Sequence, residues 1–249
     1  MKKFLALVLV VASLACTMVG CVNPTTPPTP DPTPDPTPEF DPSAKSEGSM
    51  TFAEYYAAAL DAEVVIEGYV QGKQSWWDNK ANFYIQDGDG AYYAYEMACT
   101  EEEYNQLTIG THIKVTGYKT EYHGEIEVDS GCTFEIISGD TWVAPVTDVT
   151  SLLGKDELIT KQNMYVVFKG MTVKSVTYKG GEPGDDIYVA FTKDGTEYSF
   201  CVERYLTGPE TDLYKAVQAL NEGDVVDVEG FLYWYDGANT HITGVSAAK

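Results

Sequence analysis

Two glycine triplets constrain this 249-residue chain more than any other feature. Leu107-Thr108-Ile109-Gly110 is followed by Gly117 and Gly124, and Leu220-Asn221-Glu222-Gly223 is followed by Gly230 and Gly237. Each triplet opens on Leu-x-x-Gly and spaces its glycines seven residues apart. The residues between them alternate in the same way, Ile113-Lys114-Val115-Thr116-Gly117 against Val226-Asp227-Val228-Glu229-Gly230. Upstream, Val64-Val65-Ile66-Glu67-Gly68 matches Val166-Val167-Phe168-Lys169-Gly170. A hairpin pattern running from Phe83 to Tyr93 matches one from Tyr188 to Tyr198, with Asp-Gly turn signals in both. Matched pieces in the same order mean two copies of one domain. Short alternating runs rich in Val, Ile, Thr, Tyr and Phe make that domain a strand-built one.

Each copy reads as a long strand, a two-strand hairpin, a short helix, the Leu-x-x-Gly turn, a long strand and a closing strand. Thr51, with Glu54 in capping-box position, predicts a helix over Phe52–Leu60. Glu101–Leu107 and Asp212–Leu220 predict two more. This order resembles the OB-fold, a five-stranded Greek-key barrel with a helix between its third and fourth strands. The resemblance covers residues 62–138 and 160–246 and looks like the OB-like domains of surface lipoproteins and secreted nucleases of gut bacteria. It implies a mostly β chain of two tandem barrels, each with a short helix. Gly68 and Gly170 are expected at the bend that lets the first strand join both sides of a barrel. A plain β-sandwich is the alternative.

The first residues point to a compartment. Lys2 and Lys3 precede the apolar run Phe4–Ala15, which is too short to cross a bilayer and reads as a signal peptide. Met18-Val19-Gly20-Cys21 resembles a bacterial lipobox, which implies cleavage before Cys21 and its acylation. Met18 departs from the usual leucine, Cys16 is a poorer competing cleavage point, and an ordinary secretory signal is the plainer reading. Nine of the twelve prolines then fall between Pro24 and Pro42, favouring extended polyproline II. They read as a stalk, or alternatively as a ligand for a proline-reading module. The expected organisation is a signal peptide over 1–20, a lipidated Cys21 with a disordered linker over 21–49, and barrels over 50–140 and 141–249. The expected location is extracytoplasmic, at a bacterial membrane and its cell surface.

Charge narrows the partners. Without residues 1–20 the chain loses two lysines and no acid, so 14 basic residues face 38 acidic ones and the net charge is −24. Such a surface repels phosphate backbones, against the nucleic-acid partner that the OB resemblance implies. Cys99, Cys132 and Cys201 remain. A Cys99–Cys132 disulfide is open, beside the simpler reading of three apolar core residues. His112, His123 and His241 are the only histidines, none at metal-ligand spacing, and no catalytic motif is found. No cofactor and no enzymatic activity are expected. Asp87 and Asp89 form a weak calcium candidate against a plain Asp-Gly hairpin turn.

The aromatic residues are the stronger lead, with 18 Tyr, 9 Phe and 4 Trp. In an OB-fold the second and third strands and the loops after strands one and four form the ligand groove. Trp76, Trp77, Tyr84, Tyr93 and Tyr95, with Tyr118 and Tyr122 nearby, are expected to line it in the first copy. Tyr188, Tyr198, Tyr233, Trp234 and Tyr235 are their counterparts in the second. The competing reading is that these rings fill the barrels or pack domain on domain. Four functions follow: a surface binding or adhesion protein for a glycan or peptide, a single-stranded nucleic-acid binder, an enzyme, or a structural spacer in a surface complex. The first is favoured.

Overall fold

The computed structural model describes residues 40–248. Cys21, the signal peptide and the proline repeat up to Pro38 lie outside the described residues.

The first copy contains β1 (Glu63–Lys73), β2 (Lys80–Gln86), β3 (Ala91–Ala98), β4 (His112–Tyr122), β5 (Glu125–Val128) and β6 (Thr133–Ile136). Its strand order is β1-β2-β3-β5-β4, and β4 pairs back onto β1, so the sheet closes into a five-stranded barrel. Closure comes through a parallel bridge, Ala94 to Val128, between β3 and β5. The second copy, after a two-residue β7 (Thr147–Asp148), repeats this with β8 (Tyr165–Tyr178), β9 (Ile187–Lys193), β10 (Thr196–Val202), β11 (Val225–Phe231) and β12 (His241–Ala247). There the parallel bridge is Cys201 to His241, and β11 pairs back onto β8. The chain is mostly β, in two tandem OB-like barrels as the repeat requires. One difference separates them: β12 runs unbroken along β11, whereas β5 and β6 split one closing strand between the two halves of β4.

The repeated glycines explain themselves at the Leu-x-x-Gly turns, where Gly110 and Gly223 take φ of 88° and 91°. A side chain is strained in that region. Gly68 and Gly170 do not share one role: Gly170 sits at φ 60° in a bulge of β8, where its N–H donates to Asp227, while Gly68 lies in regular register with β4.

Helices α1 (Phe52–Ala57), α2 (Glu101–Gln106) and α3 (Asp212–Gln218) lie where the capping residues place them. Thr51 and Glu54 close a reciprocal capping box, and Thr100 and Glu103 close another. α1 stops short of the expected Leu60 because the Lys119 ammonium gathers its last carbonyls, those of Tyr55, Tyr56 and Ala58, at 3.1, 2.8 and 2.8 Å. α2 and α3 sit between the third and fourth barrel strands of their copies.

Packed chain begins before α1, inside the stretch read as linker. The Lys45 ammonium pairs with Asp87, and Ser46 and Ser49 donate to the buried Glu67 carboxylate at 2.6 Å each. Burial pushes the Glu67 carboxyl up, but these hydrogen bonds and His112 outweigh it, so its pKa is lowered. Each barrel has its own core: Ile66, Phe83, Ile85, Tyr92 and Ile113 in the first, and Phe168, Phe191, Phe200, Val228 and Ile242 in the second. Cys99, Cys132 and Cys201 are free thiols, all buried.

Candidate ligand pocket on the second barrel

Alternation along β2 and β3 sends Phe83, Ile85, Tyr92 and Ala94 into the first barrel and Tyr84, Gln86, Tyr93 and Tyr95 to its outside. That outside is the face on which OB barrels take ligand. Here the second barrel covers most of it. Tyr84 stacks on Phe231 at 4.2 Å between ring centres, and its hydroxyl bonds His241 Nδ1 at 2.5 Å. Tyr93 packs edge-on to Tyr233 at 5.5 Å, and Tyr233 in turn stacks on His241 at 4.4 Å. The Gln86 carbonyl oxygen Oε1 accepts the Tyr165 N–H at 2.9 Å. Tyr84 and Tyr93 are therefore not groove residues, and Tyr233 is not their open counterpart. All three are spent on domain packing, which is what a large aromatic surface does when a second apolar face is tethered beside it.

The seam also buries titratable groups. Burial holds His241 neutral, with its pKa lowered to about 3. Burial raises Glu125 well above the carboxylate range, although its oxygens accept Asn163 Nδ2 at 2.6 Å and the Trp234 N–H at 2.8 Å. Burial, reinforced by Asp129, pushes Glu127 up to about 7. Glu127 binds its proton more tightly folded than unfolded, so its contribution to stability is lost as pH rises from its ordinary value of 4.5 to about 7. Glu127→Gln is accordingly expected to gain about 2 kcal/mol at pH 7.5 and almost nothing at pH 4.5 in urea unfolding. An equal gain at both pH values would remove the charge as its cause.

On the second barrel the outer face that carries Tyr188 and Ser199 stays open, while Tyr198 lies opposite Phe191 on the inward side. β9 and β10, with the loop that follows β11, bound a pocket of about 720 Å³ lined by Tyr188, Tyr198, Ser199, Trp234, Tyr235 and Asn239. Four of the five aromatic residues expected for this copy thus share one concavity. Tyr198 and Trp234 lean partly into the core beneath it, while Tyr235 stands 46% exposed. Its charged lining is Lys155 against Asp156, Glu197 and Asp236.

The first barrel holds this loop in place. Glu125 caps the Trp234 N–H, the His123 carbonyl accepts the Asp236 N–H at 2.8 Å, and His123 Nδ1 lies 3.0 Å from the Asp236 carboxylate. The His123 ring stacks on Tyr235 at 4.3 Å, with Tyr122 6.0 Å from the same ring. Gly124 is forced to be glycine here, since a Cβ would stand 2.8 Å from the Trp234 ring. Glu125 carries no signal in the sequence, because an acid on an alternating strand looks like part of a solvated face.

The remaining expected residues separate. Trp76 is tied down, its indole N–H donating to the Cys99 carbonyl at 2.9 Å. Trp77 and Tyr95 are exposed together at the edge of the barrel seam. Tyr118 is exposed on β4, opposite Glu63 of β1, apart from either group. The Asp87 carboxylate has no place for calcium: the N–H groups of Asp89 and Gly90 and the Tyr92 hydroxyl donate to it at 2.7 Å each, and Lys45 neutralises it. Asp87 is the plain turn residue, and Asp89 contributes a backbone N–H to it.

No family model matches the chain, and no curated protein does. Among solved structures, asparaginyl-tRNA synthetase from Entamoeba histolytica is 16% identical over 36% of this chain and 23% of that one, with a TM-score of 0.30. The hypothetical protein ygiW from E. coli is 14% identical over 41% of this chain and 100% of its own, with a TM-score of 0.27. A murine DNA binding protein bound with ds DNA is 10% identical over 74% and 90%, with a TM-score of 0.34. The matched region spans about a quarter of the synthetase chains. None of these likenesses bears on the ligand.

Proposed function

We propose that this protein binds a saccharide, without catalysis, at the outer surface of a bacterial membrane to which Cys21 anchors it. The observation that supports it is the open pocket between β9, β10 and the Trp234–Asn239 loop, with Trp234 and Tyr235 presented by backbone and ring contacts from the first barrel. Fixed aromatic faces stack on a flat ring at little entropic cost, and Ser199 and Asn239 supply hydrogen bonds for hydroxyls. Single-stranded nucleic acid is the competing reading, since aromatic platforms on OB barrels suit stacked bases. Against it stand three acids and one lysine around the pocket, and a net charge of −22 over the whole chain.

One cell experiment tests the reading. Cells displaying the wild type are expected to retain fluorescent oligosaccharides from a glycan panel, and Tyr235→Ala should weaken retention about tenfold. Cys21→Ser should release a protein into the medium that still binds. Tight, steeply salt-dependent oligonucleotide binding with no glycan hit would replace the saccharide reading by the nucleic-acid one, and a cell-retained Cys21→Ser would remove the anchor.

A further inference from the structure

A second concavity opens at the seam, about 480 Å³ in volume and away from the second-barrel pocket. Gln74, Trp76, Trp77, Tyr95, Glu96 and Tyr205 line it. Trp77, Tyr95 and Tyr205 expose 53, 36 and 54% of their surface. Three large rings left in water around one hollow are costly unless something covers them.

These rings are held rigidly. Trp77 opens a two-residue turn in which Asp78 and Asn79 take φ of 46° and 59°, and Trp77 and Lys80 exchange both backbone hydrogen bonds at 3.0 Å. The Lys80 ammonium lies 4.1 Å over the indole and is itself held by Glu96 at 2.8 Å. Tyr205 belongs to the second barrel, and its carbonyl accepts the Ser75 N–H at 2.7 Å and the Ser75 hydroxyl at 3.1 Å. Glu96 sits at φ 44°, a strained position for a glutamate, kept there by its N–H donating to Asn82 Oδ1 at 2.7 Å.

The polar lining is incomplete. Gln74 is 7% exposed, and its Oε1 accepts Asn82 Nδ2 at 2.7 Å. Among the described residues its own Nε2 has no acceptor. A glutamine amide whose donors stay open to the hollow, beside fixed aromatic faces and a carboxylate, suits a ligand rich in hydroxyl oxygens. A cation is disfavoured because Lys80 already occupies that place on Trp77, and a polyanion because Glu96 neutralises that lysine. We infer that this cleft is a second binding site, for an uncharged saccharide ring, assembled only when the two barrels are docked.

The test uses the full-length protein in a sugar-free detergent, labelled with 5-fluorotryptophan. Its four tryptophans give separate fluorine resonances, assigned by Trp→Phe variants. Maltohexaose, cellohexaose, xylohexaose and chitohexaose are titrated in turn. At least one is expected to move the Trp77 resonance saturably. Tyr205→Ala should weaken that response about tenfold, and Tyr205→Phe, which keeps the ring, should stay within about threefold. A Trp77 resonance that none of the four moves would overturn the proposal. So would an unchanged midpoint in Tyr205→Ala. Movement at Trp234 reads the second-barrel pocket separately, so either site can fail alone.

Discussion

Replacing Tyr84 by alanine is expected to destabilise the protein by about 4 kcal/mol, the scale of deleting a fully buried aromatic ring. The ring is completely buried, stacked on Phe231 with an 8° interplanar angle and tilted against Tyr93 at 4.9 Å. Its removal empties the middle of the seam and leaves His241 Nδ1 without its partner. Tyr84→Phe keeps the stack and loses the bond, so about 1–2 kcal/mol is expected there. The pH dependence adds a second signature. His241 is held neutral far below the ordinary imidazole value of 6.5, so the stability it supports is lost as pH falls from 6.5 towards about 3. In Tyr84→Ala, water reaches the imidazole and its pKa recovers, so the destabilisation should be smaller at pH 5 than at pH 7.5. Urea unfolding at both values measures this. A loss below about 1 kcal/mol at pH 7.5 would mean the barrels do not depend on this contact.

Lys119→Met is expected to cost about 3 kcal/mol, because three charge-assisted hydrogen bonds disappear while the aliphatic stem is kept. The Lys119 ammonium, only 4% exposed as a residue, donates to the carbonyls that end α1 and lies beside the rings of Tyr55 and Tyr56. A cation there also meets the negative end of the helix. With six residues α1 has no independent stability, so its amides should lose hydrogen-exchange protection before the barrel strands do. Protected α1 amides in Lys119→Met would show that packing of Tyr55 into the core holds the helix without the lysine.

Local rules made much of the fold legible. Thr51 with Glu54 marked the start of α1, and Leu107-x-x-Gly110 with Leu220-x-x-Gly223 marked the turn before each fourth strand. Those signals act within a few residues, through a capping oxygen or a positive φ, and so they survive in the sequence alone. The end of α1 did not, because Lys119 is more than sixty residues away from the carbonyls it collects.

The aromatic site divides along the same line. The OB-like order assigned Tyr84, Tyr93 and Tyr95 to the second and third strands, and alternation there turns all three outward. Alternation says nothing of what lies outside. Tyr84 and Tyr93 meet Phe231 and Tyr233 of the other barrel, while Tyr95 lies at the edge of the seam, partly exposed beside Trp77 and Tyr205. Tyr205 and Gln74 carried no pattern at all, since a single loop tyrosine and a strand-end glutamine acquire meaning only from neighbours 130 and 8 residues off. The sequence by itself determined a repeated, strand-built domain with its turns and helix starts, because capping oxygens, positive φ and alternation act over a few residues. Which outward face became core and which became a pocket was decided only by the docking of one barrel on the other, through contacts that bring together distant stretches of chain.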